Sequence, residues 1–240
     1  MNEKVVLITG ASSGIGKACA GYFSVRDHVV YGTTRNRHLL RAWPEDAEYK
    51  MLFMDVTDID SIQNGVDKIL EECGHLDILI NNAGIGMAGS IEDSSYEELK
   101  LQFDTNLFGA VNVINEILPL MRKYGSGLIV NIGSVASYIS IPFQAAYSAS
   151  KAALLSMTCS LRNEIKEFGI RTCIIHPGDL KTDFTFNRKR TQKAKTGTVY
   201  KEKMEKSIAV MARDEQNGGD PICIAKAVYK AAKKRIHRCL

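Results

Sequence analysis

The chain has 240 residues, of which 45% are hydrophobic and 24% are charged, a composition that supports a large buried core without disulfide bonds. Its formal net charge of +4 is small and no concentrated basic stripe accompanies it, which argues against a nucleic-acid-binding protein. The six cysteines form no CxxC pair and stand at no zinc-ligand spacing from histidine, so we expect no metal site. No apolar run approaches the roughly 20 residues of a transmembrane helix.

The first residues and the cysteines predict where the protein resides. The N-terminal sequence MNEKVVLITG passes directly into an apolar strand and leaves no room for a signal peptide. Cys19, Cys159 and Cys173 lie among apolar neighbours, so we expect buried thiols of the kind found in a reducing compartment. We therefore expect a soluble, cytoplasmic protein.

Short apolar runs alternate with helical patterns along the first half of the chain. Strands are predicted at residues 4–9, 28–33, 49–54 and 76–81. Helices are predicted at residues 14–24 and 58–72. In the second of these helices one face carries Ile59, Ile62, Val66, Ile69 and Leu70.

The second half of the chain continues this alternation. One long helix, or a kinked pair that stops near Pro119, is predicted at residues 95–122. A strand at 127–132, a helix at 146–168 and a strand at 170–176 follow. A final helix is predicted at residues 220–234, with Asp220 as its N-cap and Pro221 at its first position.

Continuous apolar strands separated by helices predict a parallel sheet that is covered on both faces. The expected fold is a doubly wound α/β domain with three layers, α/β/α, that includes all of residues 1–240. Residues 183–219 break the alternation with a long polar insertion before the last helix. An insertion of this length near the carboxyl end of a strand is typical of a substrate lid.

A glycine-rich stretch, TGASSGIG at residues 9–16, follows the first strand and opens the first helix. A tight strand-to-helix turn would use the same glycines without binding anything. Glycines also let backbone N–H groups approach a pyrophosphate, and the N-terminus of a helix favours an anion. The position after the first strand therefore favours dinucleotide binding in a Rossmann fold.

The end of the second strand bears on which dinucleotide binds. A carboxylate often stands about 20 residues after the glycine loop and holds the adenosine ribose. Here the chain has Thr34, followed by Arg35, whose guanidinium is suited to a 2′-phosphate. Arg35 could also be an ordinary surface arginine, but the pattern favours NADP(H) over NAD(H). The Ser13 hydroxyl could contact the same phosphate.

Tyr147 and Lys151 stand four residues apart in the sequence YSASK, so they share one face of the predicted helix. A lysine in that position could make the tyrosine more acidic, or the two could be an ordinary solvated pair. Spacing alone leaves both interpretations open.

Seven short motifs follow one another in the chain: TGASSGIG, MDVTD, NNAG, FDTNLFG, NIGSVAS, YSASK and HPGDLKT. Each of them alone could be a turn, a cap or a loop. In this order, with Ser134 thirteen residues before Tyr147, the chain resembles the short-chain dehydrogenase/reductase family from about residue 4 to residue 183. One departure is Gly133, where the family often has a second serine.

The resemblance implies a catalytic set of Asn106, Ser134, Tyr147 and Lys151. Tyr147 would donate a proton to a ketone or remove one from an alcohol, and Ser134 would hold the substrate oxygen. Lys151 and an oxidised nicotinamide ring would lower the pKa of Tyr147, and Lys151 would also bind the nicotinamide ribose. Asn106 would anchor a water that connects Lys151 to solvent.

The resemblance also implies NADP(H) as the cofactor. Thr182 and the backbone after Pro177 would hold the nicotinamide carboxamide, and Asp55 and Val56 would meet the adenine. The full set of expected cofactor-binding residues is Gly10, Ser12, Ser13, Gly14, Ile15, Gly16, Arg35, Asp55, Val56, Asn82, Ala83, Gly84, Tyr147, Lys151, Pro177, Gly178 and Thr182.

The substrate is expected to be a lipophilic ketone or secondary alcohol, since the chain is similar to steroid and retinol dehydrogenase-like members. The residues assigned to its cleft are Ile85, Met87, Ile139, Ile141, Pro142, Phe143, Phe184, Phe186, Met204 and Met211. The basic residues within 188–206 could be a solvated lid or could attract an anion, which leaves a 3-oxoacyl-thioester reductase as an alternative. A non-catalytic NADP(H)-binding regulatory protein is a second alternative. The resemblance further implies a homodimer or homotetramer, formed through helices 95–122 and 146–168.

Overall fold

The computed structural model describes residues 3–233. Lys234, at the predicted end of the last helix, and Cys239, the last cysteine, lie outside the described residues.

The strands of the described chain form two parallel sheets. Their bounds are β1 (Val5–Ile8), β2 (Val29–Thr34), β3 (Lys50–Phe53), β4 (Ile78–Asn81), β5 (Met87–Ala88), β6 (Gly127–Ile132), β7 (Ile170–Ile175) and β8 (Lys189–Arg190). The main sheet has the order β3-β2-β1-β4-β6-β7, and its six strands are the six predicted ones. The order reverses between β1 and β4, which is the switch point of a doubly wound sheet. The predicted fold class is confirmed.

Helices connect these strands. Their bounds are α1 (Gly14–Ser24), α2 (Arg37–Arg41), α3 (Ile59–Cys73), α4 (Tyr96–Phe103), α5 (Gly109–Tyr124), α6 (Ala145–Ile165), α7 (Phe184–Asn187), α8 (Gln192–Thr196), α9 (Lys201–Gln216) and α10 (Ile222–Lys233). The sequence analysis missed β5 and β8, which have two residues each, and α2, whose five residues are too few for a helical periodicity; it also did not predict α7, α8 and α9.

Two apolar clusters cover the two faces of the main sheet. Side chains alternate along a strand, so Val5 and Leu7 point to one face of β1 and Val6 and Ile8 to the other. The first cluster packs against α3, α5 and the end of α6, and the second packs against α1 and α10. These are the three layers that the sequence predicted.

The long helix before β6 does not stop near Pro119, contrary to our prediction. The helix runs from α4 through a π-helical turn (Asp104–Phe108) into α5, and it ends where Gly125 takes a φ of 63°. Pro119 removes the hydrogen bond to the carbonyl of Asn115. Both residues are exposed, so water can hydrate that carbonyl and the helix tolerates the proline.

Residues 183–219 are largely helical rather than an open polar loop. The segment contains α7, β8, α8 and α9, and β8 pairs with β5. Its apolar residues Ala194, Met204 and Ile208 form a small cluster of their own with Ala88. Leu180 and Gly219 form a parallel bridge that holds the two ends of the segment together.

The cysteines behave differently from one another. Cys19 is buried in α1, and burial raises the pKa of its thiol to about 12. Cys159 is exposed, so the prediction of burial is wrong for it, because it lies outside the buried face of α6 that carries Leu154. Cys173 is half-buried in β7.

Among residues 3–233, no helix combines the length and the apolar character that a membrane crossing requires.

Candidate active site

A cleft of about 580 Å³ opens at the carboxyl ends of β1, β4 and β6, where ligands bind in open α/β sheets. It brings together nearly all of the predicted site residues. Those that line it are Gly10, Ser12, Ser13, Gly14, Ile15, Arg35, Asp55, Val56, Asn82, Ala83, Gly84, Ser134, Tyr147, Lys151, Pro177, Gly178 and Thr182. Gly16 and Asn106 do not line it.

The glycine loop lies at one end of the cleft, where it is hydrogen-bonded to Asn82, the residue that follows β4. Gly10 has a φ of 65°, a conformation that favours glycine, and a Cβ there would lie 3.0 Å from the Cα of Ala83. The Asn82 Nδ2 donates hydrogen bonds to the carbonyl oxygens of Thr9 and Gly10 over 3.0 and 2.9 Å. Asn82 therefore fixes the loop, in addition to lining the cleft.

Gly16 has a packing role, and the cofactor contact that the sequence predicted for it stays a prediction. It is buried, and a Cβ at this position would lie 2.3 Å from the carbonyl oxygen of Gly10. The missing side chain lets α1 pack closely on the loop that precedes it.

The adenosine end of the cleft presents a cation. Arg35 is exposed and lines the cleft, while the Thr34 hydroxyl accepts a hydrogen bond from the Asn36 N–H over 3.1 Å. Asp55 also lines the cleft, but its Oδ1 already accepts hydrogen bonds from the N–H and the hydroxyl of Thr57 over 3.0 and 2.8 Å. Arg35 and Asp55 therefore both present charged groups to the cleft, one a donor and the other an acceptor.

Lys151 lies at the opposite end of the cleft, on the first half of α6. It is 6% exposed, and its Nζ donates a hydrogen bond to the carbonyl oxygen of Ile132 over 2.7 Å. Burial lowers the pKa of Lys151 to about 8. Its Nζ is 6.0 Å from the centre of the Tyr147 ring.

Tyr147 has a raised pKa in the structure, and the lowering expected from Lys151 together with an oxidised nicotinamide ring stays a prediction. Burial raises the pKa of Tyr147, a hydrogen bond with the Ser134 hydroxyl lowers it in part, and the charge of Glu215 raises it further. The positive charge of Arg188 lowers the pKa of Tyr147 in part, but desolvation of the phenol is the largest cause and outweighs it.

Ser134 lies in an extended turn after β6, and a histidine holds its backbone. The Ser134 carbonyl oxygen is 3.0 Å from Nδ1 of His176, and Nε2 of His176 is 3.1 Å from the Tyr138 hydroxyl. Because a carbonyl oxygen can only accept, Nδ1 of His176 must carry the proton in this hydrogen bond. In a neutral imidazole ring, Nε2 then has no proton and accepts a hydrogen bond from the Tyr138 hydroxyl. A Cβ at Gly133 would lie 2.8 Å from this Nδ1, so the glycine that departs from the family pattern makes room for His176. The sequence analysis missed His176.

Asn106 lies in the π-helical turn, a feature that is frequent at functional sites. Its Oδ1 accepts a hydrogen bond from the Ile85 N–H over 2.8 Å, and its Nδ2 donates to the Ile85 carbonyl over 3.0 Å and to the Ser150 hydroxyl over 3.2 Å. The side chain is 1% exposed and holds the Ile85 backbone at the edge of the cleft.

The side of the cleft expected to bind substrate contains four of the ten predicted apolar residues, together with polar ones such as Gln144, Asp179, Lys189 and Glu215. Ile85, Ile141, Phe184 and Met211 line it, and the rings of Phe184 and Tyr147 are 5.6 Å apart. A second, more open cavity of about 900 Å³ lies alongside and shares Ile141 with it; Pro142 and Phe143 line this second cavity. The remaining expected residues lie elsewhere: Met87 and Met204 are buried, and Ile139 and Phe186 are exposed outside both cavities.

Two ion pairs occupy the basic part of the 183–219 segment. Arg188 pairs with Glu215, and Glu215 lines the cleft, whereas Arg190 pairs with Glu205 over 2.8 Å. Both arginines belong to the basic residues within 188–206 that the sequence analysis considered, but it missed Glu215, because no short motif surrounds that residue.

Comparison with known proteins shows that the sequence is similar to short-chain dehydrogenases and reductases. A family model described as short chain dehydrogenase matches residues 4–193. A 3-ketodihydrosphingosine reductase from Bacteroides thetaiotaomicron is 38% identical over 237 residues, which cover 98% of this chain and 86% of that protein.

Solved structures agree with the sequence comparison. A short-chain dehydrogenase from Streptomyces avermitilis superposes with a TM-score of 0.81 at 31% identity, covering 98% of this chain and 85% of that one. A short chain dehydrogenase/reductase from Burkholderia phymatum, solved in complex with NAD, superposes with a TM-score of 0.84 at 25% identity, covering 96% and 85%.

Proposed function

The chain belongs to the short-chain dehydrogenase/reductase family of oxidoreductases, and on that basis we propose that it transfers a hydride between NADP(H) and a lipophilic ketone or secondary alcohol. The observation that carries the proposal is that Ser134, Tyr147 and Lys151 line one cleft with the glycine loop. A non-catalytic NADP(H)-binding protein would not need that combination of hydroxyl, phenol and amine.

The lining of the cleft fits a nicotinamide dinucleotide. The glycine loop stands at the N-terminus of α1, where backbone N–H groups attract a pyrophosphate. Ser13 is the N-cap of that helix, yet its side chain makes no capping hydrogen bond, so its hydroxyl is available to a phosphate. Pro177, Gly178 and Thr182 would hold the nicotinamide end.

The residues of the chain would orient the substrate and move the proton, while the bound cofactor supplies the hydride. The raised pKa of Tyr147 keeps the phenol protonated at neutral pH, which is the state that a proton donor needs in ketone reduction. Ser134 would donate a hydrogen bond to the substrate oxygen. Because its pKa is about 8, Lys151 would readily exchange a proton near neutral pH while its Nζ binds the ribose.

Asn106 receives a different role from the water anchor that the resemblance implied. Its side-chain oxygen and nitrogen are both engaged by the Ile85 backbone and Ser150. The side chain therefore positions the Ile85 segment beside the cleft, and a water relay that involves this residue stays a prediction.

Arg35 supports the choice of NADP(H). Its guanidinium is exposed at the adenosine end, and the neighbouring Thr34 carries no charge that would repel a 2′-phosphate. The relative solved with NAD shows that the family's fold also accepts the unphosphorylated cofactor. Cofactor choice must therefore be measured on this chain.

The apolar residues of the lining, Ile85, Ile141, Phe184 and Met211, favour a substrate with a lipophilic part. A 3-oxoacyl thioester is the alternative: Arg188 and Arg190 are paired with carboxylates and would attract an anion weakly, whereas Lys189 lines the cleft and would attract one. The name of the Bacteroides relative adds 3-ketodihydrosphingosine to the candidates.

The test is a substrate panel with NADPH and, separately, NADH. It contains 3-ketodihydrosphingosine, a steroid ketone, retinal, a medium-chain aldehyde and acetoacetyl-coenzyme A, and the absorbance of the reduced cofactor is followed. We expect NADPH oxidation with at least one lipophilic carbonyl compound. Turnover of the thioester alone would overturn the substrate proposal, and no turnover with any compound would overturn the catalytic one.

We also propose a homodimer or homotetramer. Leu101 and Phe108 leave 37% and 50% of their surface exposed on the long helix before β6, where a second copy could cover them. Light scattering would measure the mass of the particle, and a monomer at micromolar concentration would refute the assembly.

A further inference from the structure

A carboxylate faces the substrate side of the cleft. Glu215, near the C-terminus of α9, lines the cleft together with Phe184, whose ring lies against that of Tyr147. The Thr185 hydroxyl donates a hydrogen bond to Oε2 of Glu215 over 2.6 Å, and Nη2 of Arg188 donates to Oε1. An ionised carboxylate offers about four acceptor positions, so the two bonds leave Glu215 able to accept more.

The partner of Glu215 stands behind it and does not reach the cleft. The side chain of Arg188 is only 3% exposed and is absent from the lining, whereas Glu215 is part of the lining. The Nε and Nη1 atoms of Arg188 have no hydrogen-bond partner among the described residues. The carboxylate of Glu215 therefore faces the cleft, and the guanidinium of Arg188 faces the interior of the protein.

A contribution to stability does not explain why the Arg188–Glu215 pair is present, because buried ion pairs rarely stabilise a fold more than apolar residues would. The charges of the pair do reach the reacting groups: Glu215 raises the pKa of Tyr147 and Arg188 lowers it in part. After burial, Glu215 also contributes to the raised pKa of Asp179, a second carboxyl group of a lining that has Lys189 as a cation. A fixed carboxylate beside the reacting carbonyl attracts a cation or a hydrogen-bond donor and repels an anion.

We propose that Glu215 is a specificity-determining residue whose carboxylate binds an ammonium group, or more weakly a hydroxyl, located close to the reacting carbon of the substrate. The inference rests on the proposed ketone–alcohol interconversion and narrows its substrate class to amino or hydroxy ketones with an apolar remainder. Arg188 and Thr185 hold the carboxylate in place, and Ile141, Phe184 and Met211 contact the apolar part.

A matched pair of alcohols tests this role. Dodecan-2-ol and its 1-amino derivative differ only in the ammonium group beside the reacting carbon at neutral pH. With NADP⁺, we expect the wild-type protein to oxidise the amino alcohol with the higher kcat/KM. Glu215→Gln should reduce that preference by about ten- to a hundredfold, the range expected for a hydrogen bond between charged groups.

Glu205→Gln is the matched control. Glu205 lies on the same helix and also pairs with an arginine, but it does not line the cleft. It should leave the rates and the preference unchanged. An unchanged preference in Glu215→Gln, or an equal loss with both alcohols, would overturn the proposal. If Glu215→Gln does not fold, the double variant Arg188→Met, Glu215→Met removes both charges together, and it should lose the same preference.

A binding measurement separates this inference from the proposed reaction. Calorimetry on the NADP⁺-loaded protein should show tighter binding of the amino alcohol than of dodecan-2-ol, with the difference lost in Glu215→Gln. If the wild-type protein turned over neither these alcohols nor any compound of the carbonyl panel, the reaction would be wrong, and the binding difference would still decide the role of Glu215. Equal binding of both alcohols by the wild-type protein would refute it.

Discussion

The two sides of the cleft are held together by different interactions. On the cofactor side, backbone groups are the main partners: Asn82 bonds the carbonyls of the glycine loop, and Lys151 bonds the carbonyl of Ile132. On the substrate side, side-chain bonds have a larger share: backbone pairing of β8 with β5 and a bond from Thr198 to Asp93 attach the 183–219 segment, and Arg188 pairs with Glu215 inside it.

This difference in interactions suggests a division of roles, in which the cofactor side supports turnover and the substrate side determines which substrate binds. Backbone carbonyls are present whatever the sequence, so the cofactor side keeps its geometry as long as a few motif residues remain. Side-chain pairs change with every substitution, so the substrate side can alter its charge without disturbing the sheet. Substitutions on the first side should therefore affect turnover and cofactor binding, and those on the second should affect substrate choice.

The largest effect is expected from Tyr147→Phe, which removes the proposed proton donor and keeps the ring against Phe184. We expect kcat to fall by about 10²- to 10⁴-fold, the usual contribution of acid–base catalysis, with cofactor affinity nearly unchanged. Stopped-flow turnover and fluorescence titration with NADPH measure the two quantities. Tyr200→Phe, on the substrate side and away from the cleft, is the control. Wild-type turnover in Tyr147→Phe would show that another group moves the proton.

Lys151→Met should change how stability depends on pH. The pKa of Lys151 is about 8 in the folded chain and ordinarily 10.5, so below pH 8 folding buries a charge that the unfolded chain keeps in water. That penalty disappears as the pH rises toward 10.5. Relative to Lys151→Met, the wild-type free energy of unfolding should therefore rise by about 3 kcal/mol over this window.

Urea unfolding at a series of pH values measures this difference. Lys123→Met, at an exposed position of α5, should follow the wild-type curve. Parallel curves for wild type and Lys151→Met would mean that the ammonium is not desolvated as the structure indicates.

Gly16→Ala tests the packing on the cofactor side. The added Cβ would lie 2.3 Å from the Gly10 carbonyl oxygen, so the loop must shift. We expect a loss of about 1–3 kcal/mol in the free energy of unfolding, together with weaker cofactor binding. Gly219→Ala meets its nearest atom at an ordinary 3.6 Å and should change neither quantity much. Cofactor affinity equal to wild type in Gly16→Ala would contradict the role given to this glycine.

Arg35→Ala tests the choice of cofactor. Losing one charge-assisted contact to a 2′-phosphate should lower the preference for NADPH over NADH by about tenfold, as judged by kcat/KM. Arg41→Ala, exposed at the end of α2, should leave the preference as it was. Equal use of both cofactors by the wild-type protein would already refute the assignment.

The smallest effect should come from the outer ion pair of the 183–219 segment. Arg190 and Glu205 are 38% and 43% exposed, and pairs in such positions contribute about 1 kcal/mol or less. Arg190→Gln should therefore lower the free energy of unfolding by no more than that, as measured in urea. A larger loss would mean that the segment depends on this pair for its fold.

The sequence by itself determined the sheet and most of the cofactor side. Strand periodicity and the seven motifs placed every strand of the main sheet and all but two of the expected site residues around one cleft. This succeeded because five of the seven motifs follow strands of the parallel sheet, whose carboxyl ends meet at one edge, while FDTNLFG and YSASK lie on helices beside that edge.

Only the tertiary structure decided the rest. The packing role of Gly16 depends on its approach to the Gly10 carbonyl oxygen. The pKa of Tyr147 depends on how deeply its hydroxyl is buried, and the position of His176 depends on the space left at Gly133. Glu215 reaches the cleft because α9 folds back over it. Desolvation and contacts between residues distant in sequence have no local pattern, since they arise only when the chain is packed.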